Sequence, residues 1–187
     1  MIFSLFKNRR SNRRIVDRQY ELLTQTARQP IFYEALDVPD TVMGRFEMLS
    51  LVLILYLRRT AKSERSGQEI AQEIIDAFFQ DVDHSIRELG VGDQTVPKRM
   101  KKLAGMFYGR LETYGKALDL KDEDALAAGF RRNIHPGGKG EAVENAPVMV
   151  GLARWAATTE TFLLDMTEEA VITGSLTLPL PQQQVQP

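Results

Sequence analysis

The run Met48–Leu57 (Met-Leu-Ser-Leu-Val-Leu-Ile-Leu-Tyr-Leu) constrains this chain more than any other stretch. Its ten consecutive uncharged residues stand between Glu47 and Arg58. Wound as a helix they rise about 15 Å, half the roughly 30 Å of a bilayer core. The run is too short to span a membrane, and it is apolar on every side. A helix of that kind needs neighbours all round it, so the run predicts the central helix of a bundle. At 187 residues, 43% of them hydrophobic and 26% charged, the chain has material for one domain with a real core.

The periodicity is helical nearly throughout. A first helix is predicted from about Arg13 to Ala27, with Ile15, Leu22, Leu23 and Ala27 near one face. Pro30 and the turn Val38-Pro39-Asp40-Thr41 interrupt the pattern after it, and Asp40 or Thr41 can cap a second helix reaching roughly Ala61. A third helix runs from Ser66 to Gly90. Its residues Ile75, Phe79, Val82, Ile86 and Leu89 recur at spacings of 4, 3, 4 and 3, a coiled-coil-like seam that Ile70, Ile74 and Phe78 widen. Gly90 suits the left-handed position that closes such a helix. A fourth starts near Pro97, with Asp93 or Thr95 as its cap and Met100, Leu103, Phe107, Leu111 and Tyr114 on its buried side. Gly105, Gly109 and Gly115 weaken it or permit close helix approach. A fifth, about Asp122–Asn133, opens with acidic residues that suit its dipole. A last long helix covers about Pro147–Met166, with Val148, Leu152, Trp155, Thr159, Phe162 and Met166 in a 4-3-4-3-4 rhythm. The fold class read from this is all-α. A single-domain bundle spans 13–173, preceded by a basic extension (1–12) and followed by a disordered tail (174–187) rich in proline and glutamine.

The net charge is −1, but the signs are uneven. Residues 1–28 hold seven cations against Asp17 and Glu21. Met1–Phe6 is apolar, yet too short for a signal-peptide core, and the cations follow it instead of preceding it. That order predicts a chain on the cytoplasmic side of whatever membrane it meets. The extension also suits an anionic lipid interface.

Little in the chain can make or break a bond. With no cysteine, thiolate catalysis, disulfides and cysteine metal sites are excluded. Two distant histidines leave almost no material for serine–histidine chemistry. Asp81-Val82-Asp83-His84 has ligand-type side chains, but positions two apart on a helix diverge by about 200°. Only Asp81 and His84 share a face, with Glu88 one turn on, which is a poor metal set. His135-Pro136-Gly137-Gly138-Lys139-Gly140 lacks the order and strand context of a phosphate-binding loop. No catalytic, cofactor or metal residue is therefore assigned.

The stretch Gly90–Lys102 points elsewhere. A glycine-punctuated turn opens into a proline-started helix carrying Lys98, Arg99, Lys101 and Lys102 on its first turns. These cations wrap round more than half the helix and form no single stripe. With Phe107, Tyr108 and Tyr114 reading as core or groove residues, the segment suits protein docking better than phosphate backbones.

Three blocks together resemble the ubiquinol–cytochrome c chaperone family, the cytochrome b assembly chaperones of mitochondria and their alphaproteobacterial relatives. They are Phe32–Thr41 continuing through Gly44-Arg45-Phe46-Glu47; Phe78–Asp83 with Ile86–Asp93; and Val96–Lys102 with Phe107-Tyr108-Gly109-Arg110. They cover roughly Phe32 to Tyr114, with weaker likeness to about Trp155. The resemblance implies a helical, non-enzymatic protein of the bacterial type. It would chaperone assembly of the cytochrome bc1 complex by binding newly made cytochrome b or a similar respiratory membrane subunit. A second assembly factor is a further partner that it implies, and the apolar-then-basic N-terminus suits an anionic membrane surface. Arg45, Asp93, Lys98, Arg99, Lys101, Lys102 and Arg110 are polar members of the blocks and form the candidate docking surface. Methionines such as Met100 and Met106 could supply a deformable apolar surface. The alternatives are a nucleic-acid-binding helical module and a lipid- or quinone-binding protein working in the bundle interior.

Overall fold

The computed structural model describes the backbone of residues 2–136 and 147–181, and side chains from residue 13 onward. Eight helices lie among the described residues: α1 (Ile2–Ala27), α2 (Pro30–Glu34), α3 (Val42–Thr60), α4 (Arg65–Glu88), α5 (Val96–Asp119), α6 (Glu123–Ile134), α7 (Val150–Leu164) and α8 (Glu168–Thr173). No strand is present among them, in keeping with the all-α class.

The apolar run sits where its composition demands. Met48, Leu51, Val52, Leu53, Ile54, Leu55 and Tyr56 are all essentially inaccessible, and α3 packs against α1, α4, α5, α6 and α7. Each such side chain contributes about 1.5–3 kcal/mol relative to exposure, so α3 is the energetic centre of the bundle. The two cations that end the run hold the surrounding helices. Arg58 pairs with Asp119 at the end of α5 and with Glu160 of α7. Arg59 donates to the Met166 carbonyl, to Ser63 and to Glu168. Cations in the last turn of α3 also suit its dipole.

A polar thread crosses the core beside them. Tyr56 donates to the side-chain oxygen of Gln19 at 2.5 Å, and Gln19 donates to the Val171 carbonyl at 2.5 Å. This thread ties α1, α3 and α8 together and satisfies buried polar atoms that would otherwise cost about 1–3 kcal/mol each.

Several expectations shift. The helix expected from Arg13 begins at Ile2, so the backbone of the basic extension continues α1. Pro30 starts the short helix α2 and does more than interrupt the chain, because proline fits a first helical position. Thr41, and not Asp40, caps α3, accepting from the Gly44 amide at 3.0 Å. Neither Asp93 nor Thr95 caps α5: Thr95 makes no side-chain cap, and Asp93 accepts from Arg87. Among the α5 glycines, Gly105 and Gly109 face open space; Gly115 alone has a close neighbour, the Arg58 guanidinium. In α7, Leu152, Trp155 and Thr159 are buried as the rhythm predicts, while Phe162 and, just before the helix, Val148 are exposed. The disordered tail expected from residue 174 does not start there. Leu176 is buried, Leu178 packs on the core and the Trp155 indole donates to the Pro179 carbonyl at 2.9 Å. Residues 182–187 and the glycine-rich loop at 137–140 lie outside the described residues.

Candidate functional site

The site forms where a buried seam runs out of partners. Tyr20 of α1 donates to Asp81 of α4 at 2.9 Å, and Arg28, just past the end of α1, lines a groove together with Glu88 and Leu89 at the end of α4. α1 and α4 thus run in the same direction. α3 runs against them, with Val42 and Met43 at the open end and Tyr56 reaching Gln19 at the other. The groove has a volume of about 560 Å³. From Tyr20 to Arg28 its α1 wall is about 12 Å long, two helical turns and a little more.

Its floor is apolar: Phe46 and Leu49 of α3, Phe78, Val82 and Ile86 of α4, and Leu103 of α5. Phe46 stacks on Phe78 with ring centroids 6.0 Å apart, and Phe78 meets Phe107 at 5.4 Å. The rings make the floor rigid. The lip is also apolar but open to solvent: Val42 is 62%, Met43 44% and Leu89 61% exposed. Three large aliphatic side chains held in water round one cleft mark a surface built to be covered.

The rim is polar. Burial first, then the neighbouring Asp81 carboxylate, pushes the Tyr20 hydroxyl well above its ordinary value, so it stays a donor. That hydrogen bond closes the inner end of the groove between α1 and α4. Tyr33 donates to the Ala27 carbonyl at 2.7 Å and braces α2 against the end of α1. His84 pairs with Glu88 at 3.1 Å, so Asp81 and His84 turn to different partners. Among the described residues no cluster of histidine and carboxylates is arranged to hold a metal ion. The groove offers apolar contact area with hydroxyl, imidazole and carboxylate groups at its edge.

The residues singled out from the sequence fall into three groups. Arg45 is exposed on the groove rim and pairs with Asp40 at 2.7 Å, a contact that lowers the Asp40 carboxyl. Asp93 is exposed in the α4–α5 turn and held by Arg87 at 2.6 Å; Arg87 also grips Asp83. Lys98, Arg99, Lys101 and Lys102 are all exposed, and none pairs with a carboxylate among the described residues. Arg110 is a correction. It lies 9% exposed, forking onto both carboxylate oxygens of Glu47 at 2.5 Å and donating to the Met106 carbonyl. It joins α5 to α3 from inside and cannot belong to a docking surface. Met106 packs on the core and Met100 is half-buried, so the exposed methionine of the site is Met43 instead.

The groove itself was not read from the sequence. One signal was available: the α4 seam Ile75-Phe79-Val82-Ile86-Leu89 is covered at Ile75 and open at Leu89. A stripe that outlasts its partner leaves a groove, but only the three-dimensional path of α1 and α3 tells where the covering stops.

Comparison with known proteins agrees with this architecture. The family described as ubiquinol-cytochrome C chaperone matches residues 34–178. The chain is similar to a Cbp3 homologue from Brucella abortus of known crystal structure, with 45% identity, a TM-score of 0.86, and coverage of 98% of this chain and 99% of that one. It is 25% identical over 103 residues to the ubiquinol-cytochrome-c reductase complex assembly factor 1 of Xenopus laevis, covering 55% of this chain and 51% of that protein. It is 26% identical over 103 residues to the corresponding assembly factor of Mus musculus, covering 55% of this chain and 35% of that one. The aligned stretch spans about half or less of these two curated relatives.

Proposed function

This chain belongs to the ubiquinol-cytochrome C chaperone family, and on that premise we propose that it is an assembly chaperone for the cytochrome bc1 complex. Its client is newly made cytochrome b, or a similar respiratory membrane subunit, bound through an apolar helical segment laid in the α1–α3–α4 groove. The observation that carries this reading is the pairing of a ring-floored cleft with a solvent-exposed aliphatic lip. A membrane subunit not yet inserted presents apolar helical faces that must be kept from each other. A groove two turns long, lined by rigid rings and edged by an adaptable methionine, matches the helix-in-groove mode of recognition. Capture and release are the whole of the activity, so the protein works without turning over a substrate.

Arg45, Asp93, Lys98, Arg99, Lys101 and Lys102 lie at the open end or on the helix next to it. They form a polar docking surface beside the groove, while the client's apolar segment is gripped by the floor and lip. A second assembly factor is a further partner, and the place of work is the cytoplasmic side, at the inner membrane's surface. Support for the complex comes from the relatives named as its assembly factors.

The test is co-purification of cytochrome b, in mild detergent, with tagged full-length protein. Ser85→Trp fills the groove from an exposed wall position, and Val42→Asp makes the lip polar. Each is expected to lower captured cytochrome b by about tenfold, which corresponds to about 1.4 kcal/mol, with an unchanged melting temperature. Normal capture by both folded variants would refute the groove as the client site.

A further inference from the structure

We infer that the groove takes its client helix in one direction only, with the helix N-terminus inward at Asp81 and its C-terminus outward at Arg28. The inference rests on the client site proposed above and adds the orientation of the bound segment.

The two ends of the groove differ in charge. At the inner end stands Asp81, exposed, with Oδ2 taken by the Tyr20 hydroxyl at 2.9 Å and no cation paired with it among the described residues. At the open end, Arg45 is paired with Asp40 and Glu88 with His84. Arg28 is exposed there and has no carboxylate partner among the described residues. The start of α5 adds to this charge. The turn 89–95 joins the end of α4 to the start of α5, while Phe107, further along α5, meets Phe78 of the floor at 5.4 Å. Lys98, Arg99, Lys101 and Lys102 therefore stand toward the open end, and they too lack a carboxylate partner among the described residues.

Helix dipoles do not separate the two ends. α1 and α4 finish at the open end, while α3 and α5 begin there, so their terminal partial charges offset each other. Side-chain charge is what distinguishes inner from open.

A bound helix brings a polarity of its own. Its first N–H groups and last C=O groups have no partner within the helix, and they carry about half a positive and half a negative charge. With the N-terminus inward, Asp81 accepts from the leading N–H groups as an N-cap carboxylate does, and Arg28 donates to the trailing carbonyls. Turned round, the carbonyls would face Asp81 and the N–H groups would face Arg28, which is repulsive at both ends. The floor cannot make this choice, because Phe46, Leu49, Val82 and Ile86 grip an aliphatic face of either polarity. The Tyr20–Asp81 bond halts the segment at the inner end. The client helix thus starts at Asp81 and lies alongside α1 and α4 in their own direction, against α3.

The experiment is photocrosslinking of cytochrome b captured by the full chain in mild detergent. A benzophenone side chain replaces either Asp17, which precedes Tyr20 by one turn on the same face of α1, or Gln29, next to Arg28. Helical rise puts these positions about 18 Å apart. Mass spectrometry is expected to place the cytochrome b residues joined to position 17 about twelve residues before those joined to position 29. Arg28→Glu is expected to lower capture about threefold, and Arg65→Glu, the same change of charge far from the groove, to leave it as in wild type. The reverse order, both orders together, or full capture by Arg28→Glu would each overturn the orientation while leaving the groove as the client site. Full capture with no crosslink from either position would refute the groove itself, and the orientation with it.

Discussion

Arg110 stands four residues after Met106 in a helix whose first turns are studded with solvent-facing cations, yet its own guanidinium is inside. The reason is Glu47, which closes the polar side of the apolar run on α3 and faces α5. Burial pushes the Glu47 carboxyl up, and the Arg110 fork opposes that by holding it ionised. Such a pair adds little net stability, because each charge has given up its hydration, but removing one partner strands the other. Arg110→Met should therefore cost about 3–5 kcal/mol in urea unfolding, and Glu47→Leu added to it should restore most of the loss. A single variant as stable as wild type would mean that the pair does not hold α5 to α3.

At the scale of single elements, the two central caps differ although their sequences look alike. Thr41 accepts from the Gly44 amide, and a side chain at residue 44 would run into the Pro39 carbonyl, so the turn 39–44 is fixed by close packing as well as by the cap. Thr95 precedes Val96-Pro97 and makes no cap. Pro97 has no amide hydrogen to satisfy, which removes one of the reasons for capping there. Thr41→Ala should destabilise by about 1 kcal/mol, and Thr95→Ala by no more than a few tenths. Chemical denaturation of the two variants side by side checks this, and equal losses would contradict the assignment. In the α4–α5 turn Asp93 is held by Arg87, and Lys98, Arg99, Lys101 and Lys102 beyond it have no carboxylate partner among the described residues.

For the molecule as a whole, the segment after α8 completes the bundle. Gly174 turns the chain in a left-handed conformation at φ 71°, which favours glycine, and Arg18 donates to its carbonyl at 2.8 Å. The chain then lays Leu176 and Leu178 on the core and receives the Trp155 indole at Pro179. Trp155 is the one tryptophan, and it packs edge-on to Phe32 with centroids 4.6 Å apart. Leu176→Asp should release this strap at a cost of about 2–3 kcal/mol. Its readout is a red shift and a loss of intensity in tryptophan emission together with a lower melting temperature. An unchanged emission spectrum would mean that the strap does not shield Trp155. Neither Arg18 nor Trp155, which hold the strap, lines the groove, so this variant should still capture cytochrome b when folded.

What could be read from the sequence was what local periodicity and composition control. The uncharged run named the central helix, and the 3.6-residue rhythm placed five long helices within a few residues. The basic turn Lys98–Lys102 was legible as a surface because four cations in five positions have nowhere to go but water. Only the tertiary structure decided which seam residues lack a partner, which cation is buried, and where the chain stops packing. Burial of Arg110 depends on Glu47, 63 positions away, and the segment 174–181 is held by Trp155 and Arg18. The stripe on α4 ends in the open at Leu89, 61% exposed, although Ile86 one turn earlier is buried. Periodicity tells a residue which way it faces; whether another helix is there to meet it is a property of the whole path.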